Sequence, residues 1–271
     1  MTHKTILYRV EDRVATIVLN RPDRMNALSL ELCSEVTTAV QEADRDPEVR
    51  VLIITGAGDK AFSAGYDLKD NADKPVEGVA AWSERLNAEQ PFNFAVWNCS
   101  KPVIAMISGY CLAGALEFAQ MCDMRYASED SRFGVVETRF SAGVAAMIMP
   151  WIVGHLSREL IYSGDIIDAR EAHRIGLVNR VFPKAELERE VTKIAKRMSR
   201  NALACLQWNK RAINHTFEVM GLMPAMKYGV EACTILDSTR TPEAETFGQI
   251  ARAQGLQAAL KWRKDQFAPF E

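Results

Sequence analysis

The chain has 271 residues, of which 48% are hydrophobic and 25% charged, and its formal net charge is -2. This length fits one large domain or a domain with an appendage. The charge gives no support to a nucleic-acid partner, since proteins that bind polyanions usually carry a basic excess or a basic stripe. The six cysteines are widely spaced, without a CxxC pair or neighbouring histidines. We therefore expect no metal site and a reducing compartment.

No segment has the pattern of a signal peptide or a membrane span. Glu11-Asp12-Arg13 falls where a signal peptide requires an apolar stretch. The most apolar segment, 102–122, is interrupted by Ser108-Gly109 and carries Glu117. A buried strand, turn and helix explain it better than a membrane span. We expect a cytoplasmic protein with no membrane partner.

The first two-thirds of the chain alternate strand and helix patterns. Ile6–Val10 and Val14–Leu19 are apolar, β-branched runs split by charged residues, which predicts a hairpin. Ser29 then precedes apolar residues on one side of a helical repeat, which predicts a capped amphipathic helix. Later predicted elements are strands at 51–54, 103–107 and 124–127 and helices at 79–97 and 114–120. This alternation indicates an α/β core with mainly parallel pairing.

After about residue 185 only helical patterns follow, at 184–200, 202–217 and 223–237. Thr241-Pro242 has the pattern of a cap and first position of another helix. Just before this region, Asp168 and Glu171 form a predicted capping box, and Gly176 is placed to end that short helix. The helical tail is too small for its own core, so we expect it to pack on the α/β part or on another subunit. We divide the chain into a core at 1–195 and a C-terminal helical region at 196–271.

Two glycine-containing segments are suited to holding a polarised carbonyl. In Ala61–Leu68, small residues and Gly65 let the backbone turn sharply and approach a ligand, although a plain strand-to-helix turn would look the same. Gly114 begins a predicted helix and would present an N–H with the positive end of the helix dipole behind it. Fixed donors of this kind stabilise a developing oxyanion. The alternative is a glycine that only permits close packing.

Glu117 and Glu137 both follow strongly apolar residues. An unpaired charge is expensive in such surroundings, and two convergent carboxyl groups there can divide the roles of acid and base. Taken alone, each glutamate would more often be a solvated or capping residue.

Together these segments resemble the enoyl-CoA hydratase/isomerase (crotonase) family, with motifs in family order across most of 6–182. The motifs are Asn20-Arg21-Pro22, Asn26-Ala27-Leu28, Phe62–Leu68, Lys101–Ala105, Gly109-Tyr110, Met121-Cys122-Asp123, Gly164 and Gly176-Leu177-Val178. The resemblance implies an α/β fold with a spiral core of repeated ββα units and a C-terminal helical oligomerisation region. It also implies a homotrimer or a hexamer built as a dimer of trimers.

The resemblance assigns roles to particular positions. The backbone N–H groups of Tyr66 and Gly114 would form an oxyanion hole for a coenzyme A thioester, leaving the Tyr66 phenol free to line the acyl pocket. Glu117 would activate water and Glu137 would protonate the α-carbon. The thioester is the substrate, and no metal or other cofactor is implied. Residues expected to bind CoA or substrate are Arg24, Asn26, Ala27, Ala64, Asp67 and Leu68.

Two segments depart from the family pattern. Many hydratases follow the later glutamate with Gly-x-x-Pro-Gly-x-Gly-Gly, whereas 137–145 here is shorter and has no proline. This difference indicates an unusual substrate or a shifted activity. Trp262 stands where members often place a basic residue that reaches the CoA of a neighbouring subunit. Lys261, Arg263 and Lys264 flank it.

The implied reaction is hydration of a trans-2-enoyl-CoA to a 3-hydroxyacyl-CoA, or the reverse dehydration. Within the same superfamily, double-bond isomerisation and hydrolysis of a β-dicarbonyl acyl-CoA remain alternatives. A non-catalytic acyl-CoA-binding or scaffold protein is the alternative from another class, since a fold alone does not establish activity.

Overall fold

Two β-sheets lie at the centre of the structure, a computed structural model that describes residues 3–67 and 76–270. In that part of the chain, the larger sheet contains β1 (Ile6–Glu11), β2 (Val14–Leu19), β3 (Val51–Gly56), β5 (Val103–Ile107), β7 (Met124–Ser128) and β10 (Arg180–Phe182), in the spatial order β1-β2-β3-β5-β7-β10. The smaller sheet contains β4 (Ala61–Ser63), β6 (Tyr110–Leu112), β8 (Arg132–Gly134) and β9 (Ile166–Asp168), in the order β4-β6-β8-β9.

The described helices surround these sheets. They are α1 (Leu30–Arg45), α2 (Gly78–Asn98), α3 (Gly114–Met121), α4 (Met149–Val153), α5 (Leu156–Ser163), α6 (Ala169–Arg174), α7 (Leu187–Met198), α8 (Leu203–Val219), α9 (Leu222–Ser238), α10 (Pro242–Gln254) and α11 (Leu256–Phe267). Short 3-10 turns occur at Pro22–Arg24, Glu137–Phe140, Lys184–Glu186 and Ala268–Phe270. Within the described ranges no helix is long and apolar enough to cross a membrane.

Strand pairing follows a repeated unit. Strands β3, β5 and β7 join the larger sheet, and the strand after each (β4, β6 and β8) joins the smaller one. Helices follow each pair, so the chain advances one strand in both sheets with every ββα unit. Pairing is parallel except between β1 and β2 and between β8 and β9. The mainly parallel α/β core and the repeated ββα units are both confirmed.

The predicted helix starts are confirmed by their caps. The side chain of Ser29 accepts from the N–H of Leu32, and that of Thr241 accepts from the N–H of Ala244, both at 3.2 Å. Asp168 accepts from the N–H of Glu171 at 2.8 Å, but the Glu171 carboxylate pairs with Arg174, so only half of the predicted capping box is present.

The larger sheet is apolar on both faces because both faces are covered. Leu52 and Ile54 of β3 point into the main core, whereas Val51 and Ile53 pack with α7 on the opposite side. The main core also includes Leu222 and Met226 of α9. The C-terminal helices therefore pack on the α/β part of their own chain, the first of the two predicted arrangements. The domain boundary at 195 stays a prediction.

Lys210 fastens α8 to this core. Its ammonium donates to the carbonyl oxygens of Val96 and Lys101 at 2.9 and 3.1 Å and to the Asp123 carboxylate at 2.8 Å. The Lys210 side chain is only 6% exposed. A buried charge is tolerated when all its donors are occupied, as they are here.

Replacing Lys210 with methionine should lower the free energy of unfolding by about 2–4 kcal/mol, because two carbonyls and a carboxylate lose their partner. Urea titration measures the change. Lys261→Met is the matched control: Lys261 is 76% exposed in its pair with Asp265, so the loss should stay below about 0.5 kcal/mol. Equal losses in the two variants would contradict this role of Lys210.

Candidate active site

Two backbone turns approach each other closely where β4 ends and α3 begins. Gly65 has φ +94°, a conformation that favours glycine. A Cβ placed on Gly65 would lie 2.8 Å from the Ala113 Cβ and 3.5 Å from the Gly114 nitrogen. Any other residue at position 65 would push the turns apart, so the predicted sharp turn has a direct steric reason.

This approach brings two backbone donors together. The N–H of Tyr66 follows Gly65 directly, and the N–H of Gly114 is the first of α3. Neither donates a hydrogen bond to any described residue. The first N–H groups of a helix have no partner within it and carry partial positive charge. Two such donors side by side can bind a carbonyl oxygen and stabilise negative charge on it.

The ring of Tyr66 packs on Gly114. A Cβ added at Gly114 would meet the Tyr66 Cε2 at 2.3 Å, so the glycine makes room for the ring. Burial, followed by the charges of Glu89 and Glu117, raises the phenol pKa well above its usual value. The phenol is therefore neutral at physiological pH and lies within electrostatic reach of the carboxyl groups of Glu89 and Glu117.

Glu117 lies in the first turn of α3 and is 3% exposed. Its two oxygens accept from the N–H groups of Ala145 at 3.1 Å and Ala146 at 3.0 Å. Burial raises its pKa to about 7, with Glu89 and Asp237 adding to the rise and the two backbone hydrogen bonds opposing it. A carboxyl group with this pKa can take up or release a proton near neutral pH.

Glu137 begins the 3-10 turn after β8. Both of its carboxyl oxygens are buried and have no hydrogen-bond partner among the described residues. Burial and then the charge of Glu117 raise its pKa well above the usual value. The structure therefore brings Glu117 and Glu137 within electrostatic reach, and burial favours the protonated form of Glu137. Such a pair can supply one base and one acid.

The segment after Glu137 is held by helices from far along the chain. The N–H of Gly143 donates to Asp237 of α9 at 3.3 Å, and a Cβ on Gly143 would lie 2.4 Å from the Cys233 sulfur. Phe140 packs edge-on against Phe247 of α10. The shortened loop is therefore fixed against the C-terminal helices of its own chain.

The predicted CoA loop is tied to the Gly65 turn. Leu28 N–H donates to the Gly65 carbonyl at 2.9 Å, and Ala64 N–H donates to Met25 at 3.0 Å. Arg21 donates to the Ala27 carbonyl at 2.6 Å and to the Asp67 carboxylate at 2.8 Å. These contacts bring the predicted positions Ala27, Ala64 and Asp67 to one place beside the donor pair.

The other predicted binding positions differ in what they offer a ligand. Asn26 is fully buried, and its side chain bonds only to backbone atoms of Arg21, Ala57 and Ala61, so it shapes the loop and has no free side-chain group for CoA. The Arg24 side chain is 45% exposed beside Asp23 and can reach solvent. Leu68 lies outside the described residues.

Two of the three basic residues flanking Trp262, Lys261 and Arg263, have partners within this chain. Lys261 pairs with Asp265 at 2.7 Å. The Arg263 guanidinium donates to the carbonyl of Arg139, in the 3-10 turn that Glu137 begins. Arg263 therefore supports its own chain's Glu137 segment.

Sequence reasoning missed three polar residues near the site: Glu89 and Asn93 of α2, and Asp237 of α9. Burial raises the pKa of Glu89 to about 7 and that of Asp237 to about 6. The repeat of polar residues at 85, 89 and 93 along a helix face was the available signal, but the apolar residues around it masked it. Within the described ranges, no group of three or more His, Cys, Asp or Glu could hold a metal ion.

The raised pKa of Glu137 has a consequence for stability. The folded chain holds this proton more tightly than the unfolded chain, so Glu137 lowers stability as pH rises from the ordinary carboxyl range through its folded pKa. Glu137→Gln removes that loss. The variant should gain unfolding free energy relative to the wild type, by at least about 1 kcal/mol more at about pH 8 than at about pH 5.

Chemical denaturation at the two pH values measures this difference. Glu159→Gln makes the same chemical change at an exposed position of α5 and should show no such trend. A Glu137→Gln difference that does not change with pH would mean that Glu137 is not buried in the folded chain.

Known proteins resemble this chain in both sequence and structure. A sequence model of the enoyl-CoA hydratase/isomerase family matches residues 9–243. The chain is 32% identical to crotonyl-CoA hydratase of Syntrophomonas wolfei, over 98% of this chain and 99% of that protein. It is 32% identical to (E)-benzylidenesuccinyl-CoA hydratase of Thauera aromatica, over 83% and 86% respectively. An enoyl-CoA hydratase/isomerase from Xanthobacter autotrophicus Py2 superposes with a TM-score of 0.95 at 39% identity, covering 98% of this chain and 99% of that one. From matches of this extent it follows that the chain belongs to the enoyl-CoA hydratase/isomerase family and has the crotonase fold.

Proposed function

We propose that this protein hydrates a trans-2-enoyl-CoA to a 3-hydroxyacyl-CoA, or catalyses the reverse dehydration. The observation that carries the proposal is the position of two buried carboxyl groups, Glu117 and Glu137, beside the N–H groups of Tyr66 and Gly114, which donate to no described residue. The family membership and the relatives that are named as hydratases support it.

The first step is polarisation of the substrate. The thioester carbonyl oxygen accepts from the N–H groups of Tyr66 and Gly114, which draws electron density from the conjugated double bond and makes the β-carbon electrophilic. The helix dipole of α3 favours negative charge on that oxygen, as does the lack of a competing partner for either donor among the described residues.

Two proton transfers then complete the addition. The Glu117 carboxylate takes a proton from water as the water oxygen bonds to the β-carbon, and the electron pair of the double bond moves towards the carbonyl. The Glu137 carboxylic acid gives its proton to the α-carbon. A pKa raised to about 7 at Glu117, and one raised well above the usual carboxyl value by burial at Glu137, support proton exchange by both groups. Because the two carboxyl groups titrate together, the roles of acid and base are assigned first to the pair and only then to each glutamate.

In this proposal the CoA thioester and water are the only small molecules required, without a metal or a separate cofactor. The nucleotide end of CoA would lie along Arg24–Leu28, with backbone groups of Ala27 and Ala64 and the Asp67 segment at the inner end. The exposed Arg24 guanidinium suits phosphate geometry. Leu68 belongs to the same proposed binding segment.

The altered loop after Glu137 supports one alternative, double-bond isomerisation or hydrolysis of a β-dicarbonyl acyl-CoA at the same donor pair. This loop bonds to Glu117 through the N–H groups of Ala145 and Ala146. Its shape therefore affects where the attacking water can bind beside Glu117. The mass of the product separates hydration from isomerisation, since hydration adds one water and isomerisation adds nothing. Hydrolysis of a β-dicarbonyl also takes up one water, but it breaks a carbon–carbon bond.

We also propose that copies of the chain form a trimer or a hexamer. Exposed apolar side chains on α8 and α9 support association, because soluble monomers rarely expose many large apolar groups together. They include Trp208, Ile213, Val219, Tyr228 and Ile235. A cytoplasmic location belongs to the same proposal, supported by six cysteines that are all free thiols.

Purified protein should add one water to crotonyl-CoA, seen as loss of the absorbance of the conjugated thioester and as the product mass. Glu137→Gln should lower kcat by about 100-fold or more, because the proton donor is lost. Binding of saturated butyryl-CoA should change by no more than a few-fold, since the donor pair is intact.

Glu159→Gln, at the exposed position on α5, should turn over like the wild type. Unchanged turnover in Glu137→Gln would remove Glu137 from the mechanism. Absence of water addition to any short, medium or aromatic enoyl-CoA would refute the hydratase proposal.

A further inference from the structure

Helix α2 turns a polar stripe towards the protein interior. Arg85, Glu89 and Asn93 follow one another at four-residue intervals, which places them on one face of the helix. The Arg85 and Glu89 side chains are 17% and 7% exposed and form an ion pair at 3.2 Å, and Asn93 is fully buried. Helices normally bury their apolar face, so this stripe requires an explanation.

The stripe lies next to the reaction centre. The charge of Glu89 acts on both Tyr66 and Glu117, raising the pKa of each. The Tyr66 phenol approaches the amide of Asn93 without reaching hydrogen-bond geometry. Because the backbone of Tyr66 belongs to the donor pair and its phenol lies beside the Asn93 amide, the stripe lies next to the donor pair.

The amide of Asn93 has nothing to bind in the described chain. Both of its polar atoms are buried and make no hydrogen bond with any described residue. Leaving a buried polar group unsatisfied costs about 1–3 kcal/mol, and native proteins usually supply a partner. An unsatisfied amide this close to the Tyr66 phenol, whose backbone belongs to the donor pair, indicates that the partner comes from the ligand.

We propose that Asn93, with the Tyr66 phenol and Glu89, forms a hydrogen-bonding subsite for an acyl group that carries a hydroxyl beyond its reactive double bond. This inference rests on the proposed function, because it takes the acyl group to be held at the Tyr66–Gly114 donor pair. An amide offers both a donor and an acceptor, and a hydroxyl can use both.

Charge around the subsite selects against an acidic acyl group. Glu89, Glu117, Glu137 and Asp237 act on one another electrostatically. The nearby cation, Arg85, is already paired with Glu89. Among the described residues, a carboxylate on the acyl group would meet carboxyl groups, and the cation beside them, Arg85, is already paired. A plain alkyl chain would leave the Asn93 amide without a partner. The free-energy cost of such an unpaired group is how hydrogen-bonding sites discriminate against analogues that lack the hydroxyl.

The test compares saturated acyl-CoA esters of four, five and six acyl carbons, each with and without a terminal hydroxyl, by calorimetric binding. For at least one chain length the wild type should bind the hydroxylated ester about tenfold or more tightly. Asn93→Leu should abolish this preference by weakening the hydroxylated ester, while the alkyl ester binds equally or better.

Asn87→Leu is the matched control, since Asn87 is an exposed asparagine on the outer side of α2 and should leave the preference intact. The comparison of esters on the wild type needs no variant, so it tests the hydroxyl preference even if Asn93→Leu fails to fold. A wild type without preference at any length overturns the inference, as does an Asn93→Leu variant that weakens both esters equally.

The two proposals can fail separately. Hydration of crotonyl-CoA without any hydroxyl preference would refute the subsite and leave the proposed reaction standing. A hydroxyl preference in binding, without water addition to any enoyl-CoA, would refute the proposed reaction and keep the subsite.

Discussion

The contact between the Gly65 turn and the start of α3 is the constraint on which the site depends. With φ +94° and no room for a Cβ against Ala113, Gly65 sets the distance between two strand-to-helix connections from successive ββα units. The parallel pairing of β4 with β6 brings those connections to the same edge of the smaller sheet. The N–H groups of Tyr66 and Gly114 meet there because the sheet repeats, and the glycine lets them come close. The loop before α1 is then fixed to the same turn through Leu28 and Asp67.

Next to this turn the fold buries carboxyl groups in surroundings that disfavour their charged form. Glu117 uses both oxygens to hold the backbone at Ala145 and Ala146, whereas Glu137 has no such compensation among the described residues. Functional sites commonly carry this kind of destabilisation, which packing elsewhere offsets. Here α9 and α10 contact the segment that follows Glu137, through Asp237 and Phe247. The C-terminal helices thus act on the reaction centre of their own chain as well as on its core.

The sequence predicted the long elements well because their signals are local. Periodic apolar residues marked α1, α7 and β3, and single capping side chains marked the starts at Ser29 and Thr241. The three-residue strands of the smaller sheet were missed, since so short a segment shows no alternation and is defined only by its neighbours. The inward polar face of α2 and the reach of Asp237 to Gly143 were missed for a related reason: both depend on contacts between residues far apart in the chain. Glu117 and Glu137 could be singled out from the sequence because each follows strongly apolar residues, but their unequal hydrogen bonding depends on the folded chain.

The central claim is that two backbone donors polarise a thioester carbonyl. Vibrational spectroscopy of a saturated acyl-CoA labelled at the carbonyl carbon tests it most directly, because hydrogen bonds to that oxygen lower the stretching frequency. The account predicts a lower frequency for the bound ester than for the ester in water. The shift should be lost in Gly65→Ala and kept in Gly176→Ala, where φ is also positive at +80° but no atom lies within 4 Å of the added Cβ. A bound carbonyl that vibrates as it does in water would contradict the account.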